Sequence, residues 1–157
     1  MKSIRMLCGG LVMAALSLSA QAHEYKAGEL FIHHPWARAT PPGAQSGGVF
    51  LLVKNSGDKA DELIGVETAA AGTAELHQMK LENGVMKMNA VTSVEIPAKG
   101  EAELKPGGYH VMLFKLVAPL KEGDKFPLTL KFKRGGSVKV DIKVEAMGAK
   151  AEAMHVH

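Results

Sequence analysis

The stretch Ala74-Glu75-Leu76-His77-Gln78-Met79-Lys80-Leu81-Glu82-Asn83-Gly84-Val85-Met86-Lys87-Met88-Asn89-Ala90 decides the architecture, because it reads as two strands joined by a tight turn. Asn-Gly is the preferred centre of a two-residue type I′ turn, where both central residues take positive φ. Glu82 then faces Val85, and every facing couple sums to 167 in residue number. Met79 therefore sits opposite Met88. Side chains alternate between faces, so His77 and Met79 share one face with Met86, Met88 and Ala90. His77 is diagonal to Met88, within reach of a long side chain.

Outward from this hairpin, the chain continues as short runs rich in Val, Leu, Ile and Phe, punctuated at intervals of roughly ten residues by turn formers. The expected strands are Leu30–Arg38, Gly48–Asn55, Asp61–Glu67, Ala74–Leu81, Val85–Val94, Ala102–Leu104, Tyr109–Leu116, Phe126–Lys133 and Val138–Glu145. Between them stand Thr40-Pro41-Pro42-Gly43, Asn55-Ser56-Gly57-Asp58, Pro106-Gly107-Gly108, Glu122-Gly123-Asp124 and Arg134-Gly135-Gly136, all suited to turns. Seven to nine such strands point to a single all-β domain with Greek-key sandwich or barrel architecture. Only Ala69-Ala70-Ala71 and the Ala-rich end of the chain hint at helix. No internal repeat interrupts the pattern.

The first 22 residues read as a secretory leader. Lys2 and Arg5 precede an apolar run from Met6 to Leu18, and Ala20-Gln21-Ala22 supplies a small-x-small cleavage site. The run is too short and too interrupted by Gly and Ser for a membrane span. Cys8 falls near the start of that run instead of after it, which argues against a lipid anchor at that residue. Cleavage after Ala22 leaves a mature domain of 23–146, followed by a tail of 147–157 that loses strand character and is expected to be mobile. The expected location is periplasmic, with no insertion into the membrane after cleavage.

The whole chain has 19 basic and 16 acidic residues, and dropping Lys2 and Arg5 leaves 17 against 16. Near-neutrality with few aromatics gives no electrostatic case for nucleic acid. Nor is there a basic amphipathic helix for a membrane surface. The only cysteine lies in the leader, so the mature chain has neither disulfide nor thiol chemistry.

What the mature chain does have is sulfur as thioether, next to imidazole. His77-Gln78-Met79 and His110-Val111-Met112 bracket Met86-Lys87-Met88. By composition, His-x-Met should occur about 0.3 times by chance, and it occurs twice. His110 and Met112 fall on one strand face and follow Pro106-Gly107-Gly108, so they enter their strand at a loop-bearing end. If that end meets the hairpin, four soft or borderline ligands close on one ion. Thioethers and imidazoles without thiols suit Cu(I) better than Zn(II) or hard cations. Against this stands the ordinary use of Met as core filler and of His at a strand edge.

The spacing His77, ten residues, Met88, twenty-one residues, His110, one residue, Met112 resembles the His-x10-Met-x21-His-x-Met motif of the PCuAC family of periplasmic copper(I) chaperones. The resemblance extends from Trp36-Ala37-Arg38-Ala39-Thr40-Pro41-Pro42 through Asn55-Ser56-Gly57 and Asp61-Glu62-Leu63 to Gly108-Tyr109-His110-Val111-Met112-Leu113 and Pro119-Leu120-Lys121-Glu122-Gly123-Asp124. It implies a cupredoxin-like fold and Cu(I) held by His77, Met88, His110 and Met112, with Met79 at the motif's optional position as an auxiliary. It also implies delivery of copper to the dinuclear copper centre of the respiratory oxidase or to its assembly factors.

A second copper locus is compositional. Cleavage would expose His23 with a free amine, and amine plus imidazole chelates Cu(II). Met147, Met154, His155 and His157 form a sparse Met/His tail, similar to the tails associated with Cu(II) capture in some members of that family. His33-His34-Pro35 reads as an ordinary strand feature, and Trp36 and Phe50 read as core. Two other functions fit parts of the pattern. One is sequestration of copper without a dedicated acceptor. The other is a histidine-brace enzyme built on His23, with His33 or His34 as a loose second ligand. Nothing else in the chain looks catalytic, as neither a Ser-His-Asp arrangement nor a phosphate-binding Gly loop is present.

Overall fold

A computed structural model describes residues 24–149. The leader, His23 and the tail from residue 150, with Met154, His155 and His157, lie outside the described residues. Eleven strands make up the fold: β1 (Glu24–Ala27), β2 (Leu30–Arg38), β3 (Ser46–Asn55), β4 (Asp61–Glu67), β5 (Ala71–Glu82), β6 (Val85–Ala90), β7 (Val94–Ile96), β8 (Glu101–Leu104), β9 (Tyr109–Leu116), β10 (Lys125–Phe132) and β11 (Gly136–Glu145). The architecture is all-β, as the alternating pattern requires. No helix among the described residues is long and apolar enough to cross a membrane.

The strands join in the order β6-β5-β9-β8-β3-β2-β11-β10-β4-β7, with β1 on β2 and a direct β9–β3 pairing. Most pairs are antiparallel, while β11–β2 and β8–β9 are parallel. Leu30, Ile32, Val49, Leu51, Leu63, Leu76, Ile96, Val111, Leu113, Leu128, Leu130 and Ile142 are buried in one apolar cluster drawn from strands along the whole ladder. A flat sheet could not gather them, so the sheet folds around a single core. Burying each such side chain is worth about 1.5–3 kcal/mol.

Four observations depart from the sequence pattern. β1 is an additional strand, reached through Gly28 at φ 60. The run Val85–Val94 is not continuous. β6 pairs with β5 at one end of the ladder, β7 pairs with β4 at the other, and Val91-Thr92-Ser93 carries the chain between them. Ala69 and Ala70 form the turn before β5 instead of a helix, because three alanines cannot offset the cost of nucleating one.

The fourth departure is a β-bulge at His33-His34-Pro35, which is therefore more than an ordinary strand feature. His33 faces Leu52, yet Trp36 faces Phe50, so β2 carries one extra residue and His34 sits at φ 45. An extra residue moves all following side chains to the opposite face. Leu30 and Ile32 enter the core before the bulge, and Ala37 enters it after. Trp36 is only 2% exposed and Phe50 only 5%, but both lie outside the main core cluster, paired on the other face.

Candidate metal centre

The hairpin has the register its turn dictates. Asn83 at φ 51 and Gly84 at φ 79 give the two positive values of a type I′ turn. Met79 faces Met88, and His77 faces Ala90. The other half of β5 pairs with β9, and there His77 faces His110 directly, while Glu75 faces Met112. The meeting of the hairpin with Tyr109–Met112 is thus a strand ladder, at the end of β9 that adjoins the Lys105–Gly108 turn. His77, Met79, Met88, His110 and Met112 come to one sheet face on three adjacent strands, β6-β5-β9.

Burial divides these residues. His77 is 7% exposed and His110 6%, with ring centroids 5.9 Å apart. Met79 and Met112 are half-buried, and Met88 is 45% exposed. Aromatic rings wall the histidines in. Phe114 lies 5.7 Å from His77, and Phe50 lies 6.4 Å from His110 with Trp36 packed behind it at 4.8 Å. Phe50 can fold down here because residue 48 is glycine. A Cβ on Gly48, which faces Met112, would stand 3.1 Å from the tip of that ring. Trp36 and Phe50 are therefore buried, as expected, but as the floor and flank of this face instead of the main core.

Among the described residues, His77 and His110 each have a hydrogen-bonding partner on one nitrogen only. His77 Nε2 lies 2.8 Å from Glu75 Oε2, and its Nδ1 is buried without a partner among the described residues. His110 Nδ1 lies 3.2 Å from the Gly108 carbonyl, which also accepts the Met79 N–H at 3.0 Å. Burial lowers the pKa of His110 below its ordinary 6.5, with a further lowering from His77 and a partial offset from the Gly108 hydrogen bond. The neutral form of His110, with a lone pair available, is favoured. The face thus presents imidazole nitrogen and thioether sulfur in an apolar setting. No group of three or more His, Cys, Asp or Glu side chains suited to an ion exists among the described residues, so a site built only from harder ligands is not available there.

The remaining sequence candidates lie elsewhere. His33 Nε2 is 3.6 Å from Glu24 Oε1, and His34 Nε2 is 3.2 Å from Glu145 Oε1. Each ring turns to its own carboxylate, and His23, on which the brace reading depends, lies outside the described residues. Met147 is 61% exposed just beyond β11, where Arg38 Nε donates to the Ala149 carbonyl at 2.9 Å. Glu75 and the Gly108 carbonyl were not read from sequence as parts of the site. Strand alternation was the available signal for Glu75, since it stands two residues before His77 on the same face.

The chain is similar to known proteins over most of its length. The family described as putative lipoprotein LpqE-like matches residues 30–144. A putative lipoprotein of Leifsonia xyli subsp. xyli is 34% identical over 139 residues, covering 87% of this chain and 82% of the relative. Among solved structures, the copper-bound PCuAC domain from PmoF2 is 32% identical with a TM-score of 0.69, covering 79% of this chain and 98% of that domain. The CuI form of DR1885 from Deinococcus radiodurans is 27% identical with a TM-score of 0.58, covering 88% of this chain and 89% of that one. The chain belongs to the LpqE-like family, the family of PCuAC domains.

Proposed function

We propose that the protein is an extracytoplasmic copper chaperone that carries Cu(I) on His77, Met88, His110 and Met112, with Met79 as an auxiliary. Family membership supports copper binding and a chaperone-like role. The observation that carries the ligand assignment is the His77–His110 pair. Two imidazoles face each other across a ladder, both buried, and one bears an Nδ1 without a partner among the described residues. A buried polar atom with no partner requires an explanation, and a bound ion supplies one. Copper is cargo here, and neutral imidazole and thioether suit the monovalent ion.

Exposure of Met88 favours transfer over sequestration. A half-exposed thioether lets an acceptor thiolate or thioether replace protein ligands one at a time, without opening the core. The acceptor in this reading is the dinuclear copper centre of the respiratory oxidase or one of its assembly factors. Cu(II) capture by His23 with Met147, Met154, His155 and His157 is a separate part of the proposal, and ending the chain at Ala146 tests the tail's share. Unchanged Cu(II) stoichiometry would remove the tail from the account. X-ray absorption of the Cu(I)-loaded protein, beside Met88→Ala, tests the main site. The expected shell mixes sulfur and nitrogen and loses sulfur in the variant, whereas a shell of nitrogen alone would sink the assignment.

A further inference from the structure

We propose that Glu75 is a positioning residue that commits His77 to its Nε2–H tautomer, so that His77 meets copper through Nδ1 while His110 meets it through Nε2. The inference rests on the copper reading above and specifies how its two histidines are presented. An ionised carboxylate has no proton to give, so the 2.8 Å contact between Glu75 Oε2 and His77 Nε2 requires the ring to donate. The lone pair of neutral His77 is then on Nδ1, the buried atom without a partner among the described residues. A backbone carbonyl also only accepts, so His110 donates from Nδ1 to Gly108 and keeps its lone pair on Nε2. Facing residues of one ladder thus hold opposite tautomers.

The arrangement follows from the strands. Glu75 and His77 are two residues apart on β5 and share a face. The Gly108 carbonyl is fixed by its second hydrogen bond, from the Met79 N–H, so the turn before β9 is tied to β5 beside the histidine pair. A carboxylate hydrogen-bonded to the far nitrogen of a ligating histidine fixes the ring's orientation and raises its basicity. The Glu75 side chain is 48% exposed, so its loss removes this hydrogen bond without opening the core.

Long-range 1H–15N correlation spectra of the metal-free protein assign the proton on each ring directly. The expected result is His77 protonated on Nε2 and His110 on Nδ1. Glu75→Gln should retain the His77 tautomer, because its amide oxygen still accepts. Glu75→Ala should mix the two tautomers and weaken Cu(I) binding by about 10–100-fold in competition with bicinchoninic acid. Thermal unfolding of the metal-free variants establishes that the fold is intact. A proton on Nδ1 of His77 in the unsubstituted protein would overturn the proposal, as would a Glu75→Ala variant with unchanged tautomer populations and unchanged affinity. Cu(I) binding that survives His77→Ala would instead overturn the copper reading, and the metal-free spectra would still report on Glu75.

Discussion

The two sides of the candidate centre are built differently. β5 and β9 hold His77 and His110 between paired neighbours, with 7% and 6% exposure. Among the described residues β6 is an edge strand bonded only to β5, and all six of its residues are exposed. The strongest anchors belong to the part of the sheet that cannot move alone, and Met88 belongs to the part that can. In a flat ladder Met88 and Met112 would occupy opposite corners around His77, two strand spacings and four residues apart, about 16 Å between Cα atoms. One ion touching both sulfurs requires the sheet to curl or the hairpin to bend over the histidines. Under the proposed copper reading, the difference gives retention of the ion to the buried side and exchange to the exposed side.

Removing a buried anchor should break the comparison most completely. His110→Ala is expected to lower Cu(I) affinity by more than the roughly 100-fold typical of losing a residue that only supports a ligand. Chelator competition measures it, and a loss no greater than that of Met88→Ala would contradict the division. Met88→Ala should cost roughly 10-fold, about 1.4 kcal/mol. It should leave the metal-free stability within about 0.5 kcal/mol, since the side chain is half-exposed.

A subtler test leaves every ligand in place. Gly84 sits at φ 79, where a side chain costs about 1–2 kcal/mol, so Gly84→Val should loosen the turn that sets the hairpin register. A slip of one residue would turn Met88 to the other face. Affinity should fall by a fraction of the Met88→Ala loss, accompanied by loss of the Met79–Met88 cross-strand contact in NMR spectra. Retention of both would mean that tertiary packing, not the turn, holds β6.

The smallest effect is on pH. The pKa of His110 is lowered in the fold, so between that value and 6.5 the unfolded chain binds more protons than the folded one. Stability of the metal-free protein therefore rises with pH, is complete above about 6.5, and falls as pH drops towards the folded value, below which the loss levels off. Thermal unfolding at a series of pH values should show this slope, and His110→Ala should reduce it.

Much of this organisation was legible in the chain itself. Asn83-Gly84 specified the turn, the turn specified the register, and the register placed His77, Met79 and Met88 on one face. The limits of β2, β4 and β9 follow from alternation and flanking turn residues. Other features depend on partners that are distant in sequence. Val91 and Thr92 are good strand formers, yet they fall in a crossing because β6 and β7 have different neighbours. Trp36 and Phe50 are apolar enough for any core, and only the pairing across β2 and β3 assigns them to the site. The contact between His77 and Glu75 required knowing which ring nitrogen faces out, a detail alternation alone does not supply.

The bulge at His34 acts as a change of reading frame written in space. Upstream of it, even-numbered residues of β2 face the core; downstream, odd-numbered ones do. Straightening the bulge without removing a residue would carry the upstream frame through Arg38. The indole of Trp36 would be driven into a space sized for the methyl of Ala37, and Phe50 would lose its neighbour beneath the histidines. That change would be felt in the core and in the candidate copper face together, although it removes no candidate ligand and no core residue.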